Sequence, residues 1–374
     1  MAETVEIAIA ECTRIINARQ WDEARERCVQ LYADHPDDVE VLNLRAIVAA
    51  HDQDWLQAEE LWTRVHKTSP DNVAALLGLA DVESRRENWA TAASWARRAA
   101  VVDSPHVADA RQRLTIVLSR WAQETSRSGQ WDAAKAVAEE LLVYVPDSPV
   151  ASHVLGLREL AQDSPAARAE RWFRKSMDNA VSDSALPAYY QAQIRFSLGD
   201  ALYRQGKFEE ALPLLFEAFR MLPDDANTKN GVRNVLSALL NRAREKRDWP
   251  NVKEYCEDLL AVFPDHHAAW NVLGLYHLKQ GNFKEACESF KKALRCAEPA
   301  ASATEKAHYA GNLGWTWMRL RRYGRADRAF RAASGYDADA PDVRLALQVR
   351  RMQRQYDSIL GIGALIIVGL LWFH

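Results

Sequence analysis

The chain has 374 residues, 48 Lys+Arg against 51 Asp+Glu, and a formal net charge of −3. Its hydrophobic share of 48% matches ordinary globular proteins and excludes global disorder. Scarce Gly (15) and Pro (13) argue against a turn-dense sheet fold, and the near-zero charge excludes a globally basic nucleic-acid binder.

The N-terminus, MAETVEIAIAEC, has no basic start and no long apolar run, so the sequence predicts no secretory signal. The five cysteines, Cys12, Cys28, Cys256, Cys287 and Cys296, include no Cys-x-x-Cys pair. They predict neither a disulfide framework nor a thiolate metal site, and fit a reducing compartment.

From there one unit recurs. It reads RQWDEA (19–24), QDWLQA (53–58), ENWATA (87–92), GQWDAA (129–134), GKFEEA (206–211) and GNFKEA (281–286). Weaker copies are RDWPNV (247–252) and RRYGRA (321–326), with a degenerate PAARA at 165–169. The alanines Ala24, Ala58 and Ala92 are spaced by 34 residues, and later spacings run from 34 to 42. Twelve residues before the alanine stands a small residue: Cys12, Ala46, Ala80, Ala122, Gly199, Gly274 or Gly314. In the degenerate units that place holds Leu157 and Leu240. About twelve residues after the alanine comes a proline, such as Pro36, Pro70, Pro146, Pro223 or Pro264. A small residue lets two helices approach, and proline ends the second one.

This pattern resembles the tetratricopeptide repeat, two antiparallel helices per unit. The resemblance implies an all-α, right-handed α-solenoid of about nine helix pairs over residues 1–341. The first helices of units four, six, seven and nine are expected to gain about two turns each. The resemblance also implies that partner proteins or peptides bind along a concave face lined by first helices. The corresponding offsets give Asn43, Asp81, Arg85, Gln123, Arg127, Arg158, Asp200, Arg204, Asn241, Asn271 and Trp315. The carboxylate clamp of chaperone cofactors is not supported, because its Lys and Asn places hold Ile9 and Thr13. Five of the thirteen tryptophans (Trp21, Trp55, Trp89, Trp131, Trp249) fall at the turn between helices, and Trp62 falls at a packing position. Trp317 is expected to be buried between helices and Trp315 to face the groove.

Nothing predicts an enzyme. There is no phosphate loop, no His-Glu-x-x-His and no Gly-x-Ser-x-Gly. His266 and His267 are adjacent and so point to different helix faces. No cofactor and no metal are expected.

After Pro341 the segment PDVRLALQVRRMQRQYD predicts a capping and basic juxtamembrane helix, residues 342–357. Residues 359–373 (ILGIGALIIVGLLWF) carry no charge. As a helix they span ~22 Å, short of the ~30 Å hydrocarbon core, and adding Ser358 and Tyr356 brings the run near the low end of the ~17–25 residues that cross a bilayer. Tyr356 and Trp372 flank them as interfacial aromatics do. Residues 319–354 hold ten Arg against four Asp. Arg344, Arg350, Arg351 and Arg354 then form a membrane-surface cluster on the cytosolic side. The expectation is a tail-anchored, single-pass protein with residues 358–374 as anchor and the repeats in the cytosol, on the inner membrane if the source is bacterial. The alternative is a soluble scaffold that self-assembles through this helix, which leaves a homo-oligomer open.

Overall fold

The computed structural model describes residues 5–162, 164–182, 186–298 and 301–337. Among them are eighteen α-helices and no strand, in the order the repeat demands. The first helices are α1 (Val5–Asn17), α3 (Val39–His51), α5 (Val73–Arg85), α7 (Val107–Arg127), α9 (Pro149–Ala161), α11 (Ala188–Arg204), α13 (Ala226–Glu245), α15 (His267–Lys279) and α17 (Ala303–Arg319). The second helices are α2 (Trp21–Asp34), α4 (Trp55–Thr68), α6 (Trp89–Val101), α8 (Trp131–Tyr144), α10 (Ala166–Ser182), α12 (Phe208–Met221), α14 (Trp249–Val262), α16 (Phe283–Cys296) and α18 (Tyr323–Tyr336).

The chain divides into two compact units, Met1–Gln205 and Gly206–His374. In the first, each helix packs on its successor, and α1, α3, α5, α7, α9 and α11 also touch in series. In the second, α12 to α18 pack successively and α15 also touches α17.

The recurring sequence unit maps onto the turn. Its aromatic is the first residue of the second helix in eight pairs. Two residues earlier the backbone is left-handed: Gly129, Gly206 and Gly281, but also Arg19, Gln53, Glu87, Arg247 and Arg321. A side chain there costs roughly 1–2 kcal/mol, so the aromatic's packing must hold these turns. Entry into the next first helix is capped by side chains. Asp38 accepts from the Glu40 and Val41 amides, Asn72 from Ala75, and Ser302 forms a capping box with Glu305.

The core follows the small-against-large rule. A Cβ on Gly274 or Gly314 would collide with the ring of Phe290 or Phe330. In the fifth pair the small place is Gly156, against Phe173, and not Leu157. The degenerate turn QDSPAARA carries one extra residue before Ala169, which shifts the frame. In the seventh pair Leu240 is buried at the small place and Cys256 at the large one, so the volumes trade. Cys12, Cys28 and Cys287 are also buried. Burial pushes the Cys28 and Cys256 thiols up to about 12 and Cys287 up to about 11.

The long first helices fall where expected, with one difference. α7 has 21 residues and α13 has 20, against 13 in α1, α3, α5, α9 and α15. α11 and α17 have 17 each, so they gain one turn rather than two. The rest of their insertion lies in the preceding connection. The capping helix 342–357, the cluster Arg344, Arg350, Arg351 and Arg354, and the anchor 358–374 lie outside the described residues. Among the described residues, no helix is long and apolar enough to cross a membrane.

Candidate binding groove

The first helices of the first unit leave a trough on the face where they touch in series. Three adjoining hollows make it up. One of about 260 Å³ lies between α7, α9 and α11. A second, of about 360 Å³, shares Gln123, Tyr189 and Tyr190 with it. A third, of about 570 Å³, reaches α5 and shares Ile116 and Arg120 with the second.

Helix geometry places the lining. On α7, Ile116, Arg120, Gln123 and Arg127 follow one another at three- and four-residue steps and share a face. Leu157 of α9 and Phe196 of α11 supply apolar wall to the first hollow. Tyr189 is 43% exposed and Ile116 52% exposed, both in the trough. The extra turn of α11 carries Tyr189 and Tyr190. The extra turns of α7 carry Arg113, which donates twice to Asp81 of α5 (3.0 and 2.9 Å). Burial pushes the Asp81 carboxyl above its ordinary range, and Arg113 pulls against that.

The floor of the first hollow is a polar triplet. Buried His153 lies 2.9 Å from the Tyr190 hydroxyl through Nδ1 and 2.9 Å from the Ser197 hydroxyl through Nε2. Burial lowers the His153 pKa to about 4 and raises that of Tyr190, so at neutral pH the imidazole and phenol are both uncharged. Such a floor can position a polar group. Among the described residues, no group of His, Cys, Asp and Glu is arranged to hold a metal ion.

The residues expected in the groove are distributed unevenly. Gln123 and Arg127 line the first hollow, and Asp81 and Arg85 the third. Arg127 also donates to Glu124, 2.6 Å away on its own helix. Arg85 is spread over the Trp55 ring, 4.3 Å from its centre. Arg158 is half-buried and paired with Glu159, while Leu157 takes the lining place one residue earlier. Asn43 is buried and donates to Asn72, the cap of α5. Asp200 and Arg204 pair with each other along α11. In the second unit, Asn241 is exposed on α13. Asn271 accepts from Asn312 and so ties α15 to α17. Trp315 packs edge-on against Phe330, and Trp317 is half-buried with Lys291 and Arg325 over its ring.

His153, Tyr190, Ser197, Leu157, Arg113 and Arg120 are absent from the expected set. The one-residue frame shift hides His153 and Leu157. Arg113 and Tyr190 sit on extra turns that the repeat offsets do not reach.

The tetratricopeptide repeat family model matches residues 52–108, 180–226 and 238–301. Helix pairs of the same construction fill the described stretches between them. Among solved structures, the tetratricopeptide domain of P58(IPK) is 15% identical, covers 95% of this chain and 99% of its own, and gives a TM-score of 0.29. The C-terminal part of a repeat protein from Cytophaga hutchinsonii is 13% identical over 71% of this chain and 99% of its own, with a TM-score of 0.49. YrrB, described as having an unusual peptide-binding site, is 14% identical over 54% of this chain and 95% of its own, with a TM-score of 0.38. Likeness at that level carries nothing about function.

Proposed function

We propose that this chain of tetratricopeptide repeats is a non-catalytic scaffold that holds a segment of a partner protein in the trough of its first unit. The trough carries this reading. Exposed Ile116 and Tyr189 sit beside unengaged polar groups on a face built from six consecutive first helices. Peptide-binding surfaces combine these two elements, apolar anchors and a few placed polar groups.

Random peptides displayed on phage and selected on the full-length chain test it. Expected are binders that lose affinity on Ile116→Asp, an exposed change that leaves the helix content unaltered. Binders indifferent to Ile116→Asp, or no binders, overturn the reading.

The same proposal places the scaffold on a membrane through residues 358–373, with the repeats on the cytosolic side. The uncharged run and its arginine-rich approach support that. The rival is a soluble scaffold whose apolar end joins copies together, and the described helices suit it equally well. Carbonate-washed membranes decide between them. The anchored form stays in the pellet while a chain ending at Asp357 turns soluble. A soluble full-length oligomer would end the anchor reading.

A further inference from the structure

Arg120 is exposed on α7 at the junction of the second and third hollows, and it has no hydrogen-bond or ion-pair partner among the described residues. It differs in this from Arg113, Arg127 and Arg158, which are paired with Asp81, Glu124 and Glu159. Gln123, one turn along the same face, also keeps an unengaged amide and lines both the first and the second hollow. A free guanidinium and an amide side by side on one helix face make a fork of donors suited to a carboxylate.

The triplet beneath adds a donor by simple counting. A neutral imidazole has one N–H and one bare nitrogen. His153 therefore donates to one hydroxyl and accepts from the other. The hydroxyl that receives the imidazole N–H keeps its own hydrogen. Neither Tyr190 nor Ser197 has a second acceptor among the described residues. In either tautomer one hydroxyl hydrogen remains available in the first hollow for an acceptor on a ligand. At about 260 Å³ that hollow is smaller than the roughly 300 Å³ at which whole small-molecule sites begin, so it suits one side chain with its flanking main chain.

We infer that the trough of the first unit takes an extended peptide with an internal Asp or Glu beside a bulky apolar residue. Arg120 and Gln123 receive the carboxylate. The apolar residue rests on Ile116 and Tyr189 and enters the hollow, where the spare hydroxyl meets a main-chain carbonyl. The acid is internal because the trough runs on past Arg120 toward α5 and past Gln123 toward α11, leaving room for chain on both sides. The occupant is a partner rather than the chain's own approach to residue 358, since the arginines of 344–354 would meet Arg120 with like charge.

This inference rests on the trough being the binding face, and the same phage selection separates the two. Acidic residues adjacent to Phe, Tyr or Leu should dominate the selected peptides. Arg120→Glu should weaken these binders by about tenfold or more and turn the selection toward Lys and Arg. Tyr190→Phe combined with Ser197→Ala removes both hydroxyls and should weaken them by a few-fold when measured at a temperature where the variant is still folded, and no weakening would overturn the role of the spare hydroxyl. Binders that depend on Ile116 but are neutral or basic overturn the inference and leave the scaffold reading standing. Acidic binders unaffected by Arg120→Glu overturn the inference as well. Binders indifferent to Ile116→Asp overturn both.

Discussion

The two compact units lengthen their first helices alike and use the added length differently. In the first unit, the extra turns of α7 and α11 bring Arg113, Tyr189 and Tyr190 to a trough beside Ile116 of the standard part of α7, and leave part of that surface open. In the second, the extra turns are consumed by packing. Lys229, on the extra turns of α13, and Arg233, where its standard part begins, lie over Phe263 at 5.6 and 4.2 Å. On the extra turn of α17, Thr304 donates to Asp337. Lengthening a helix beyond the repeat is thus neutral by itself. Function depends on whether the new turns find partners within the stack.

The histidines offer the largest way to break that contrast. His153 has a pKa of about 4 in the fold against roughly 6.5 in an unfolded chain. Between those values the unfolded chain holds a proton that the folded one refuses. Stability is therefore complete above pH ~6.5 and falls as pH drops toward 4, by about 3 kcal/mol for this group alone. In the second unit, His266 and His277 are lowered in the same direction but are only half-buried. Urea unfolding of the full chain should show the first unit's transition moving further on acidification, and His153→Gln should flatten it. Equal movement of both units would break the contrast.

A smaller effect comes from the tight helix contacts. Gly156→Ala in the first unit and Gly274→Ala in the second drive a methyl into Phe173 and Phe290. Each should cost about 1–3 kcal/mol, read as a lower melting temperature. The smallest effect lies in the turns. Glu87→Gly relieves a left-handed side chain at φ 60 and should stabilise by about 0.5–1 kcal/mol. Gly281→Ala should destabilise the second unit by a similar amount.

The helix pairs were legible because the turn aromatic and the alanine after it repeat in phase over nearly the whole chain. The groove was legible only where that phase held. One extra residue before Ala169 moved the expected lining from Leu157 to Arg158, and His153 vanished from view with it. A second cause is contact between successive pairs. The residue seven before each alanine is often basic, and it faces the previous pair's turn aromatic. His51 stacks on Trp21, Arg85 on Trp55, Lys279 on Trp249 and Arg319 on Phe283. Each partner lies 30 residues or more away in sequence, so a single helix's face pattern assigns such a side chain to solvent. The Arg and Lys stacks contribute about 0.5–1 kcal/mol each at exposed sites.

The cysteines give the stack a built-in clock. Cys12 and Cys28 are sealed in the first pair, and Cys256 and Cys287 in the seventh and eighth. The raised pKa values of Cys28, Cys256 and Cys287 leave little thiolate near neutrality, and all four are buried, so an alkylating reagent reaches them only when the local helices part. Timed alkylation followed by peptide mass analysis would then report how often each end of the chain breathes, with half-buried Cys296 setting the fast limit.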